Sequence, residues 1–194
     1  MTIQRANRPV SRESEALKAT RSGGLGGIRF DAETLRAWIR GLVGMDAKLE
    51  AGALVADVTC GVGSATLALA LAYPRSTFRG FDPHEASVAE ARAAAGRSDA
   101  GNIRFETSLP HEFPGRRYDL ITTFSPERFT GDVRRIVTRI REALSEDGGV
   151  WMLVLPKRQF PVHGEVEAAA HLGAFSRVRV AAETSWYTVI EAIR

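Results

Sequence analysis

A chain of 194 residues, 44% of them hydrophobic and with a formal charge of +3, is sized and composed for one soluble, cytoplasmic domain with an ample core. No stretch approaches the ~20 uninterrupted apolar residues of a membrane span, and the polar start Met1-Thr2-Ile3-Gln4-Arg5 lacks the apolar run of a signal peptide. The only cysteine is Cys60, and His84, His111, His163 and His171 show no ligand spacing, so a disulfide framework is excluded and no metal is expected.

Residues 1–28 carry Arg5, Arg8, Arg12, Lys18 and Arg21 against Glu13 and Glu15, which accounts for the whole formal charge, and end in Gly23-Gly24-Leu25-Gly26-Gly27. They read as a flexible basic N-terminal arm ahead of a folded domain over 29–194. That domain is close to neutral, which leaves little counterion-release drive for a polyanion and argues against a nucleic-acid substrate. Asp31 is placed to cap an amphipathic helix in which Leu35, Trp38, Ile39, Leu42 and Val43 recur at helical spacing before Gly44.

The apolar run 53–58 is too short for a helix and suits a buried parallel strand. A glycine turn follows, and then 64–72, nearly all small or apolar, which predicts a helix buried on the sheet and halted before Pro74. The unit repeats with a strand over 77–81 and an alanine-rich helix over 85–97. Strands over 102–106 and 118–124 come next, then a helix over 131–144 with Val133, Ile136, Val137, Ile140, Ala143 and Leu144 on one face, and a strand over 150–155. Such alternation implies a doubly wound parallel sheet. After a helix over 165–172, two strands at 176–180 and 186–192 are joined too tightly for a parallel crossover, so the last strand is expected to be antiparallel.

In the first unit, Asp57-Val58-Thr59-Cys60-Gly61-Val62-Gly63 places glycines where a backbone approaches a ligand and a helix N-terminus follows. A Gly-x-Gly turn alone does no more than reverse the chain. Asp57 changes the reading, because a carboxylate buried at the end of an apolar strand costs several kcal/mol unless donors or a cation meet it. Asp82 closes the second strand, where an acid hydrogen-bonds a ribose diol; taken alone, it also suits a helix cap. A dinucleotide dehydrogenase fits less well. Its third glycine falls on Thr66, Asp57 would repel a pyrophosphate, and the final antiparallel strand is foreign to that fold.

From Leu49 to Ile193 the sequence resembles the class I S-adenosylmethionine-dependent methyltransferases, most nearly the small-molecule enzymes that often carry an N-terminal winged-helix domain, which this sequence lacks. The likeness rests on Leu49-Glu50-Ala51-Gly52, Val55-Ala56-Asp57-Val58, Gly80-Phe81-Asp82-Pro83-His84-Glu85-Ala86-Ser87, Tyr118-Asp119-Leu120 and Ile140-Arg141-Glu142-Ala143-Leu144. It continues through Trp151-Met152-Leu153-Val154 and Glu183-Thr184 to Val189-Ile190-Glu191-Ala192.

The resemblance implies a Rossmann-like, seven-stranded, mostly parallel sheet with the last strand antiparallel, and S-adenosylmethionine as cofactor. It implies that Asp57, Thr59, Cys60, Gly61 and Gly63 border the methionine part and that Asp82 holds the ribose. Pro83 and His84 would flank the adenine, Ser108 and Leu109 would edge its pocket, and Phe124 with Ser125 would lie beside the sulfonium. Relatives usually have glycine at Thr59, an acid near Leu109, and an Asp and a His near Ser125 and Arg128. The segment after Pro156 is also short for their substrate-covering insertion.

Methyl transfer is an in-line displacement, so holding the reactants together does most of the work, and a base is needed only for a protonated acceptor. The polar candidates at the mouth are Ser125, Glu127, Arg128 and His111, with Glu127 first and Arg128 and His111 the other catalytic candidates. The leading expectation is therefore a methyltransferase acting on a small-molecule O, N or C nucleophile, such as one of secondary metabolism. The alternatives are a non-methylating binder of S-adenosylmethionine or S-adenosylhomocysteine that serves as partner or regulator, and a different reaction such as cyclisation. A homodimer or a partner protein is left open.

Overall fold

A computed structural model of the protein describes residues 31–157, 164, 166, 168, 169 and 175–194. The expected basic arm, His163 and His171 lie outside the described residues, as does most of the helix expected over 165–172; residues 166, 168 and 169 of it are helical.

Asp31 caps α1 (Ala32–Gly41), its carboxylate accepting from the Thr34 N–H at 2.8 Å. Leu35, Trp38 and Ile39 form the buried face of that helix. The chain does not run on as one helix to Gly44. Leu42 is already extended, Val43 is 60% exposed rather than on the apolar face, and Gly44, at φ +70, opens a second helix, α2 (Met45–Ala51), that periodicity did not signal. The cause is tertiary: the Val43 N–H is drawn to the Glu191 carboxylate at 2.7 Å, a partner 148 residues away.

The alternating units follow as expected: β1 (Leu54–Val58), α3 (Ser64–Ala72), β2 (Thr77–Asp82), α4 (Glu85–Gly96), β3 (Ile103–Thr107), β4 (Leu120–Thr123), α5 (Val133–Ala143) and β5 (Val150–Pro156). β6 (Arg177–Glu183) and β7 (Tyr187–Ile193) close the chain. The fourth strand is shorter than the expected 118–124, since Tyr118 makes only an isolated bridge to Leu144.

The seven strands lie in the order β3-β2-β1-β4-β5-β7-β6, with β7 antiparallel to both of its neighbours and the other pairings parallel. This is the doubly wound sheet with one reversed strand that the tight β6–β7 connection required. β4 and all but the last residue of β5 are buried, because layers cover both faces. On one side α1, α2 and α3 contribute Leu35, Trp38, Leu49 and Leu69; on the other α5 contributes Val133, Ile136, Val137 and Ile140 beside Trp151.

Strand order reverses between β1 and β4. A crevice outside the carboxyl ends of the strands at such a switch point is where α/β sheets bind ligands. The turn after β1, the end of β2 and the segment after β4 all reach it.

Candidate functional site

β1 hands the chain to the turn 59–63 through Thr59, whose φ of +68 is left-handed. That conformation costs a residue with a side chain roughly 1–2 kcal/mol, a physical reason for the glycine usual in relatives. Here the Thr59 hydroxyl donates to the Val58 and Ser125 carbonyls, the latter at 3.2 Å, and so ties the end of β1 to the exit of β4. The Cys60 N–H donates to Phe81 O at 3.0 Å, and the Gly61 N–H to Asp82 Oδ2 at 2.9 Å, stitching the turn to the end of β2. The Cys60 sulfur packs with Val88, Ala91 and Phe105, and burial, then the charges of Asp57 and Asp82, push its thiol up, which keeps it protonated.

Gly63, at φ +72, caps α3 with its backbone alone. A Cβ there would stand 2.4 Å from the Phe105 ring, and one on Gly80 would stand at the same distance from it. Phe105 therefore fills a hollow made by two glycines, bringing α3 close beneath the turn. Gly63 has this packing role in addition to the ligand role that the resemblance implies.

Asp57 is 1% exposed. Thr66, in the first turn of α3, donates its hydroxyl to Oδ2. Thr122 on β4 is the register partner of Asp57, but its hydroxyl donates to Ala56 O at 3.4 Å, and Asp57 Oδ1 has no hydrogen-bond partner. Burial pushes the Asp57 carboxyl up to about 7; the Thr66 and Thr122 hydroxyls pull it down and the Asp82 charge adds to the rise. The residue at the third-glycine position of a dinucleotide motif is thus the one that holds the acid, a role legible only once Thr66 is seen one helical turn past the glycines.

Asp82 is fully buried and densely satisfied. Oδ2 accepts from the Gly61 N–H, Oδ1 from the His84 N–H at 3.0 Å with the His84 Nδ1 at 3.1 Å, and Arg128 Nη2 lies 3.0 Å from both oxygens. Burial raises its carboxyl, but the His84 N–H, the Arg128 guanidinium and the Gly61 N–H outweigh it, so Asp82 titrates below the usual carboxylate range. The helix cap itself is His84, and Asp82 braces the turn before α4. Asp82 closes β2 with its side chain buried, and Arg128, expected at the acceptor mouth, sits on it.

The remaining residues divide. The Ser108 N–H donates to Asp82 O at 3.1 Å, Pro83 is half-buried, and Leu109 is exposed. Phe124 is in the core and Ser125 is buried, its carbonyl accepting from Thr59 and from the Arg128 N–H. His111 lies 3.4 Å from Glu112, and its Nδ1 is buried without a partner; none of its polar contacts ties it to Asp57, Asp82 or the glycine turn. Glu127 lies in the short 3-10 turn Pro126–Arg128, where its charge raises Tyr187, though burial raises that phenol more. Thr66 and Tyr187 are the neighbours that sequence reasoning missed. Tyr187 gave no signal, since it lies 60 residues downstream on the reversed strand. Among the described residues no group of three or more His, Cys, Asp or Glu is placed to hold a metal ion, and no helix is long and apolar enough to cross a membrane.

Residues 56–150 match the family described as methyltransferase domain. A trans-aconitate 2-methyltransferase of Deinococcus radiodurans is 30% identical over 130 residues, covering 64% of this chain and 48% of that protein, so the chain spans about half the length of this curated relative. Among solved structures, the YcgJ protein of Bacillus subtilis is similar with a TM-score of 0.66 at 17% identity, over 84% of this chain and 98% of that one. Magnesium protoporphyrin IX methyltransferase of Synechocystis PCC 6803, crystallised with S-adenosylhomocysteine, is similar with a TM-score of 0.63 at 22% identity, over 88% and 90% of the two chains.

Proposed function

We propose, from the match of residues 56–150 to a methyltransferase domain and from the doubly wound sheet that carries them, that the protein is an S-adenosylmethionine-dependent methyltransferase acting on a small-molecule O, N or C nucleophile. The observation that carries this reading is Asp57 Oδ1, a buried carboxylate oxygen at the switch point with no partner of its own. Such an atom costs ~1–3 kcal/mol unless a donor meets it, and a cation or ammonium group fits where a pyrophosphate would be repelled. The curated relative, named for a small acceptor, supports the same substrate class.

When bound, S-adenosylmethionine supplies a methyl group activated by a positively charged sulfur. Asp57 would receive the cationic end, Asp82 the ribose hydroxyls, and Thr59, Cys60, Gly61 and Gly63 the methionine part. Pro83, His84, Ser108 and Leu109 would border the adenine, and Phe124 with Ser125 the region of the sulfur. Glu127, beside Tyr187, is the first candidate to take a proton from an acceptor; Arg128 and His111 are the others. Orientation is the main contribution asked of the chain, since in-line transfer needs little else.

One observation favours a second reading, a cofactor-binding partner or regulator that does not methylate. Arg128, at the place where relatives usually have a histidine, is engaged with Asp82 and not directed to an acceptor. Calorimetric titration with S-adenosylmethionine and S-adenosylhomocysteine tests the shared premise, with saturable binding of both expected. Incubation with methyl-labelled cofactor and pools of small acceptors then decides. Label transfer supports the enzyme, binding without transfer the regulator, and failure to bind either nucleoside sinks both.

A further inference from the structure

Arg128 occupies the place at Asp82 that the proposed function gives to a ribose. A carboxylate has about four acceptor sites, and the Gly61 N–H, the His84 N–H and the Arg128 Nη2, which reaches both oxygens, already take those of Asp82. The guanidinium also lies across the open side of the glycine turn: a Cβ built on Gly61 would meet its Cζ first, at 4.0 Å. A diol can reach Asp82 only after Arg128 has left.

The hold is also incomplete. One nitrogen, Nη2, serves both carboxylate oxygens, whereas the strongest guanidinium–carboxylate pairs use two in a fork. Nε is buried with no acceptor at all. The backbone that carries the side chain is a closed turn of its own, with the Arg128 N–H on Ser125 O and the Phe129 N–H on Pro126 O, both at 3.0 Å. The side chain can thus swing out by its own torsions while this turn stays in place.

We propose that Arg128 is a latch on the nucleoside end of this site, closed on Asp82 in the free protein and exchanged for the hydroxyls of the incoming ribose. The exchange keeps Asp82 supplied with donors throughout. The two carboxylates of the crevice are therefore prepared differently: Asp57 stands open with one orphaned oxygen, and Asp82 stands closed. Because only the unlatched fraction binds, the latch lowers apparent affinity by that fraction. The proposal rests on the function assigned above.

Its test uses 5′-methylthioadenosine, which has the ribose but no carboxylate that a released arginine could grip. Binding to the wild-type chain and to Arg128→Ala is measured by calorimetry, and association rates by stopped flow. Affinity is expected to rise on the order of tenfold in the variant, the worth of one charged hydrogen bond removed from the free state, with the gain carried by a faster association. Arg128→Gln, which keeps a polar side chain without the charge, should gain in the same direction, and serves if the alanine variant fails to fold by thermal unfolding. Unchanged or weaker binding of methylthioadenosine to both variants, with S-adenosylhomocysteine still bound by the wild type, overturns the latch alone. Absence of nucleoside binding by wild type and variants alike overturns the latch together with the proposed function.

Discussion

The Thr66 hydroxyl donates to Oδ2 of Asp57, while Oδ1 of the same buried carboxylate has no hydrogen-bond partner, the neighbouring Thr122 hydroxyl being turned to Ala56 O. Half of the acid is held by the helix that follows the glycine turn, and the other half is the one that the proposed function gives to a ligand. Asp57 and Asp82 are consequently shifted in opposite directions, the first up to about 7 and the second below its ordinary range.

Stability should record the raised carboxyl. Between the ordinary value of 3.8 and about 7 the folded chain binds more protons at Asp57 than the unfolded chain does, so this group makes the fold weaker as pH rises through that window, and by a constant amount above it. Asp57→Asn removes the titration. Urea unfolding at pH 5 and pH 8 is expected to show the variant gaining on the wild type by about 1–3 kcal/mol at the higher pH. A difference between the two proteins that does not grow with pH contradicts the burial argument.

Ligand affinity should run the other way. A cationic nucleoside favours ionised Asp57, so S-adenosylmethionine is expected to bind more tightly as pH rises from 6 to 8, with a proton released on binding at the lower end. Calorimetry in buffers of different ionisation heat measures that proton directly. In Asp57→Asn both the pH dependence and most of the affinity should be lost; a variant with wild-type affinity removes Asp57 from the site.

Asp82 is best tested in the Arg128→Ala background, where the ion pair does not enter. There Asp82→Asn is expected to weaken S-adenosylhomocysteine binding by ~1–3 kcal/mol through loss of charged hydrogen bonds. In the wild type, the depressed carboxyl contributes stability above its unfolded value and loses it as pH falls through the folded one, so Asp82→Asn should flatten the acid limb of the unfolding profile. Equal affinity in the single and double variants would leave Asp82 without a part in binding.

The hollow beneath the turn makes a packing prediction. Phe105→Ala empties a space lined by Gly63, Gly80 and Cys60 and should destabilise the fold by about 3–5 kcal/mol. Gly63→Ala drives a methyl group to 2.4 Å from the same ring and forces a left-handed alanine, so it too should unfold earlier on heating. Combining Gly63→Ala with Phe105→Leu should recover part of the loss. No recovery would mean that backbone strain, not the ring, sets the cost.

At the far edge of the sheet, Glu191 is fully buried, with Arg179 Nε at 2.5 Å, Arg177 Nη2 at 3.3 Å and the Val43 N–H at 2.7 Å. Arg179 also reaches Gly41 O at 2.8 Å, so this cluster fixes the end of α1 against β6 and β7. Glu191→Ala removes the charged acceptor of the Val43 N–H and of two half-exposed guanidinium groups and is expected to cost ~1–3 kcal/mol, measured by chemical denaturation. Wild-type stability would show that the clasp contributes nothing net.

What the sequence by itself determined is local and periodic. Alternating apolar runs and helical faces, the caps and the glycine turn dictated the order of the strands and of the helices between them, and the short return over 181–185 forced the reversed strand, because these depend on spacing along the chain. Asp57 and Asp82 were legible for the same reason, as single acids closing apolar strands. The tertiary structure decided everything that depends on a partner distant in sequence. Glu191 ended α1 early by drawing off the Val43 N–H, and Phe105 gave Gly63 and Gly80 their purpose. Arg128, 46 residues beyond Asp82, took up the carboxylate that spacing alone had reserved for a ligand. No pattern along the chain encodes such pairings, since a side chain's energy is set by what the fold brings within a few ångströms of it.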